Sequence, residues 1–257
     1  MAYRCRTRRI YYTMRRILVI GDIHGGLKAL KQVLERATVS KKDTLIFLGD
    51  YVDGWSESAQ VIDYVMDLSL KQPCVFIKGN HDVWCEEWLR TGNADSKWLF
   101  HGGQATVESY NFINPTIRVR HLNFFEQMKD YEVDEQNRLF IHAGFTSMHG
   151  PRQEFHTSNF GWDRTLWEMA LATDKRIEKD SFLFPKRLML FHEIYIGHTP
   201  TLYYKKDVPM QGCNVWNIDT GAAFKGKLTV MDINTKQFWQ SDHVFNLYPG
   251  EPGRNND

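Results

Sequence analysis

Five segments of the chain set a metal-capable side chain in a glycine-flanked turn: Gly21-Asp22-Ile23-His24-Gly25, Gly49-Asp50-Tyr51-Val52-Asp53-Gly54, Gly79-Asn80-His81-Asp82, His142-Ala143-Gly144 and Gly197-His198-Thr199-Pro200. Aspartate and asparagine offer oxygen, histidine offers imidazole nitrogen, and no thiolate stands among them. Such mixed N/O sets suit manganese, iron, zinc or cobalt. Two Asp, three His and one Asn are too many donors for one small cation. They suit two ions about 3.5–4 Å apart bridged by a carboxylate. One such turn alone carries little weight, because Asp and Asn also occupy turns for backbone reasons. Five of them, each after an apolar run, are not a coincidence of turn chemistry.

The apolar runs before these turns must position the donors. Arg16–Ile20, Thr44–Leu48 and Cys74–Ile77 are short and apolar, and each closes near a glycine. Between them Leu27–Arg36 and Ser58–Leu70 carry apolar residues at helical spacing. Strand and helix in alternation predict βαβ units and a largely parallel sheet, with ligands held beyond the carboxyl ends of the strands. Glycine there lets the chain turn sharply and a ligand approach the backbone. Residues of about 83–130 read as a helical insertion, with His121–Tyr131 at helical spacing. Arg138–His142, Glu193–Gly197, Val215–Asp219 and Lys227–Ile233 read as strands of a second sheet. The expected fold is α/β: a two-sheet β-sandwich flanked by helices in α/β/β/α layers. One domain over 14–247 is expected. Residues 1–13 read as a disordered extension before Met14, and 248–257, rich in Pro, Gly and Asn, as a flexible tail.

Composition narrows the classes. The 257 residues carry 32 Lys and Arg against 31 Asp and Glu, a net charge of +1, so bulk charge selects neither nucleic acid nor membrane. The arginines crowded before residue 17 come with no nucleic-acid-reading module. No apolar run approaches the ~18 residues that a membrane span needs. Cys5, Cys74, Cys85 and Cys213 form no C-x-x-C pair, which fits a reducing, cytoplasmic setting.

The five segments resemble the motifs of the PPP-type Ser/Thr phosphatases within the calcineurin-like metallophosphoesterases, bacterial and phage members above all. That pattern is GD-x-HG, GD-x-VDRG, GNH-[DE], HAG or HGG, and GHT; here it reads GDIHG, GDYVDG, GNHD, HAG and GHTP. The resemblance spans about residues 14–235. It implies that Asp22 and His24 hold a first metal, that Asp50 bridges, and that Asn80, His142 and His198 complete a second, with manganese the leading ion and iron or zinc its rivals. It further implies that His81 is the general acid, oriented by Asp53, that Asp82 fills the acidic slot after it, and that Arg164 of Gly-Trp-Asp-Arg grips substrate phosphate. The reaction so implied is hydrolysis of a phosphate monoester by in-line attack of a metal-bridging hydroxide. Asp219-Thr220-Gly221 resembles a late segment of bacterial members and receives no role.

One position departs from the pattern. The family arginine that grips phosphate is replaced by Gly54, followed by Trp55 and Ser56. Arg164 and a further cation such as Lys78 would then carry more of the binding, or the substrate differs. A phosphorylated protein or small phosphoester is the first expectation, a nucleotide or dinucleoside polyphosphate the second, and a metal-binding scaffold without turnover the third. The intact His81 and Asp53 argue against the scaffold. Trp84, Trp88, Trp162 and Trp167 are expected in packing; Trp55 either packs or lines the substrate pocket. His101, His121, His149, His156, His192 and His243 lack a motif setting and are expected at the surface or in the core.

Overall fold

The structure, a computed structural model, describes residues 16–255; the extension expected over 1–13 lies outside the described residues. The chain runs β1 (Ile17–Ile20), α1 (Leu27–Arg36), β2 (Thr44–Phe47), α2 (Ser58–Ser69), β3 (Cys74–Phe76), then helices α3 (Asn80–Thr91), α4 (Ser96–Trp98), α5 (Gln104–Ser109) and α6 (Pro115–Glu126). After these come β4 (Tyr131–Val133), β5 (Arg138–Ile141), α7 (Asn159–Trp162), α8 (Thr165–Ala172), α9 (Lys186–Met189), β6 (Glu193–Ile196), β7 (Met210–Gly212), β8 (Val215–Asn217), β9 (Lys227–Asp232), β10 (Phe238–His243) and α10 (Val244–Leu247).

Two five-stranded mixed sheets result, in the orders β10-β9-β1-β2-β3 and β4-β5-β6-β8-β7. Side chains alternate across each strand, and this sorts them into three layers of packing. Leu18, Ile20, Leu45 and Phe47 face out of the first sheet into a core with α1 and α2. Leu139, Ile141, Ile194 and Ile196 face out of the second, into a core with Leu166, Trp167 and Ala170 of α8. The residues between them in sequence, Val19, Ile46, Phe140 and Tyr195, meet between the sheets with Ile218 and Met231. Hence the two-sheet sandwich flanked by helices.

Three expectations change. Lys227–Asp232 returns to the first sheet, antiparallel to β1, rather than extending the second. Helical spacing toward Tyr131 stops at Glu126, and Tyr131–Val133 pairs antiparallel with β5. The tail is packed rather than flexible over 248–255. Tyr248 is 1% exposed and stacks on Trp55 with ring centroids 5.3 Å apart, and the Arg254 amide donates to the Ala223 carbonyl at 2.9 Å. Among the described residues no helix is long and apolar enough to cross a membrane.

Candidate metal centre and phosphoester pocket

The carboxyl ends of β1, β2, β3, β5, β6 and β8 deliver Asp22, Asp50, Asn80, His142, His198 and Asp219 to one edge of the sandwich. The turns are tight enough to strain the backbone. His24, Asp50, Asp53 and His198 all have positive φ, at 52°, 54°, 75° and 66°. Each such residue costs on the order of 1–3 kcal/mol, which the surrounding packing must overcome, and such strain gathers at functional sites. Gly197 shows why the turns need glycine: a Cβ there would lie 2.0 Å from Oδ1 of Asp22.

The six expected ligands meet. Asp22, His24 and Asp50 each place one ligand atom within 4.8 Å of the others, and so do Asp50, His142 and His198, with Asp50 common to both groups. Asn80 joins the second group, its Oδ1 lying 3.2 Å from Nε2 of His142 and 3.0 Å from Nδ1 of His198. Nδ1 of His24 donates to the carbonyls of Val52 and Asp53 at 3.1 and 3.0 Å, and Nδ1 of His142 to that of Leu48 at 2.8 Å. These bonds fix the tautomer and leave Nε2 of each ring as the coordinating atom. Nε2 of His24 and of His142 lie 3.6 and 3.4 Å from Oδ2 of Asp50.

The donor set fits a pair of cations. Oδ1 of Asp22 and Nε2 of His198 are buried without a hydrogen-bond partner, an arrangement that costs free energy unless something binds them. Burial, then the charge of Asp219, pushes Asp22 well above the usual carboxylate range. Burial holds His24 and His198 well below the ordinary imidazole value, so both are neutral and able to coordinate. Burial also works against charge on His142, but Asp50 outweighs it and raises that ring to about 10, so a cation bound there would displace the Nε2 proton. Asp50 is correspondingly held well below its usual range by His142 and His81, against its own burial. Asp82 braces the turns by accepting the amides of Asp50, Tyr51 and Gly79 at 2.7, 2.9 and 2.8 Å.

His81 is the second residue of α3, and its Nδ1 lies 2.6 Å from Oδ2 of Asp53, so Nε2 is the atom left for the cavity. The same carboxylate accepts from Nε1 of Trp98 and from Oγ1 of Thr106, each at 2.6 Å. Beside the ligands opens a cavity of about 470 Å³, with His24, Asp50, Asn80, His81, His198 and Asp219 in its wall. Arg164 lines it too, but Lys78 does not: that ammonium is engaged by Glu86 at 2.5 Å. Lys97 and Arg254 are the further cations present.

Several aromatic positions differ from expectation. Trp84 and Trp162, expected in packing, line the cavity, as does His101, whose ring stacks parallel to Trp84 at 6.3 Å. Trp88 and Trp167 are buried. Trp55 takes its packing alternative: it is fully buried and its Nε1 donates to the Ala222 carbonyl at 2.8 Å. Arg254 and the donors of Asp53 had no sequence signal, because each comes from a segment distant in the chain and outside any motif.

A sequence model of the calcineurin-like phosphoesterases matches residues 15–218. The bis(5'-nucleosyl)-tetraphosphatase PrpE [asymmetrical] of Bacillus cereus strain AH187 is 27% identical over 226 residues, covering 82% of this chain and 87% of the relative. Among solved structures, a putative diadenosine tetraphosphatase superposes with a TM-score of 0.61 at 14% identity, over 89% of this chain and 94% of that one. A protein serine/threonine phosphatase from Saccharomyces cerevisiae superposes at 0.56 and 15% identity, over 85% and 73%. Likeness at such low identity speaks for the fold alone.

Proposed function

The chain belongs to the calcineurin-like phosphoesterase family, and on that premise we propose that it hydrolyses the phosphate chain of a dinucleoside polyphosphate such as a bis(5'-nucleosyl)-tetraphosphate. The observation that carries this reading is the mixed lining of the cavity, where Trp84, Phe100, Trp162, Tyr203 and Phe224 stand beside Arg164 and Lys97. Tyr203 and Trp162 are 65% and 43% exposed, so aromatic surface is open to a ligand beside a site for phosphate. A base stacked on such a ring gains about 1–3 kcal/mol, and a phosphate monoester without a base would leave that surface idle.

Asp22, His24 and Asp50 would hold one divalent ion, and Asp50, Asn80, His142 and His198 a second, manganese being the first to test. When bound, such a pair neutralises phosphate charge and activates water. Arg164 holds phosphate oxygens as a planar donor fork. His81, its Nδ1–H hydrogen-bonded to Asp53, presents a protonated Nε2 to the leaving oxygen and supplies that proton there. Trp84 meets His81 edge to face at 5.1 Å and restricts the ring's rotation.

A phosphorylated protein is the second reading, favoured by the motif set and by the exposure of the cavity's aromatic rim. With manganese, kcat/KM measured on a dinucleoside tetraphosphate, an aryl phosphate and a phosphoserine peptide ranks the two. The tetraphosphate is expected to lead by about tenfold or more. A leading phosphopeptide would reverse the order. No turnover of any of them with manganese, iron or zinc would leave the metal-binding scaffold.

A further inference from the structure

We propose that Arg254, carried in by the C-terminal tail, is a substrate-phosphate-binding residue of this pocket. The inference rests on the phosphoester reading above and adds a binding group that no motif contains.

The observation is spatial. Gly54 and Gly102 both have φ in the left-handed region, at +117° and +107°, where a side chain is strained. The amide of Gly54 donates to the carbonyl of Gly102 at 3.2 Å, so the two glycines lie side by side. The side chain of Arg254 passes over both: its Cγ lies 3.2 Å from where a Cβ on Gly54 would stand and 3.1 Å from one on Gly102. The side-chain space at position 54, where the motif pattern would set an arginine, is thus taken by an arginine from 200 residues later.

The tail is fastened so that this placement is reproducible. Glu251 accepts from the amide and hydroxyl of Ser56 at 3.0 and 2.8 Å, two residues after Gly54. Tyr248 stacks on Trp55, and the Arg254 amide is tied to Ala223. The guanidinium lies over the Phe224 ring at 5.4 Å, on the wall shared with His24, Asp50 and Asp219. Among the described residues it has no hydrogen bond or ion pair, and it shares the cavity wall with Arg164 and Lys97. A guanidinium offers five N–H groups in a fork that matches phosphate oxygens.

The test uses the full chain with manganese and the variants Arg254→Ala and Arg254→Lys, each checked for wild-type metal content and melting temperature. Arg254→Ala should raise KM about 10- to 100-fold with kcat changed much less, and weaken inhibition by inorganic phosphate to a similar extent; Arg254→Lys should recover part of both. A folded, metal-loaded Arg254→Ala protein with KM and phosphate inhibition within about twofold of wild type would overturn the assignment. Should the wild type turn over no phosphoester, the functional reading fails by itself. Calorimetry of inorganic phosphate binding to the manganese-loaded protein then decides for Arg254: weaker binding in the alanine variant upholds it, and equal binding removes it.

Discussion

Nδ1 of His81 and Oδ2 of Asp53 lie 2.6 Å apart, with both side chains almost fully buried. A short bond between an imidazole N–H and a carboxylate fixes which ring nitrogen faces the cavity, and leaves Nε2 of His81 as the atom that would give the proton. Neither residue belongs to the two ligand groups. His81→Asn should therefore lower kcat by about 10²–10⁴ while metal content stays at the wild-type level. Metal analysis beside turnover checks this, and a metal-free variant would transfer His81 from proton donor to ligand support.

The orientation of Asp53 is itself imposed by α4 and α5. Trp98 and Thr106 donate to its two oxygens, so the carboxylate spends its lone pairs on groups that cannot rotate away. Trp98→Phe removes one donor with little change of shape. Oδ2 keeps its bond to His81, so the change should cost about 1–3 kcal/mol of stability, as for one lost hydrogen bond to a carboxylate, and lower kcat several-fold with KM unmoved. Unfolding by urea and steady-state kinetics read the two effects; an altered KM with kcat intact would place Trp98 in substrate binding instead.

Asp50 is the one residue common to both ligand groups, and it is flanked by His24 and His142. Asp50→Asn keeps the size and removes the charge. Both metal sites should weaken, with affinity falling by about 100-fold or more. Elemental analysis after dialysis gives the answer, and retention of a full metal complement with full activity would disprove the shared role. If only one ion were lost, Asp50 would serve one site rather than join two.

The candidate ligand positions could be picked out in the sequence because each sits at the first turn after a strand, where glycine, apolar run and donor are contiguous. Asp22, Asp50, His142 and His198 need no long-range knowledge beyond the expectation that parallel strands end on one edge. The remaining parts of the site were illegible for the same reason inverted. Trp98 and Thr106 reach Asp53 across about fifty residues of chain, and nothing local to either announces an acceptor. Arg254 sits in a Pro-, Gly- and Asn-rich segment whose composition reads as solvated, yet Tyr248 and Glu251 tie it to the loop around Trp55 and Ser56. Of the strands, β7 has three residues, and β10 is an edge strand with mixed polarity that shows no clean alternation. β9 shows the other limit: its apolar run identified a strand, and pairing with β1 rather than with the second sheet was decided by tertiary packing.

His121 gives a pH dependence separate from the metal centre. It is fully buried on α6, with Nδ1 2.8 Å from the Tyr110 hydroxyl and Nε2 3.0 Å from Oδ1 of Asp63. Burial lowers its pKa below the ordinary value, and the bond to Asp63 only partly opposes this. The unfolded chain, with imidazole near about 6.5, then binds a proton that the native ring resists. Stability from this residue is full above the unfolded value and is lost as pH falls from there through the native value. His121→Gln keeps hydrogen-bonding capacity without titrating. Its own cost should be about 1–3 kcal/mol at pH 7.5, and the gap to wild type should narrow as the pH is lowered toward 5.5. Urea midpoints for both proteins across that range measure it; parallel curves, with a constant gap, would show that His121 titrates alike in the folded and unfolded chain.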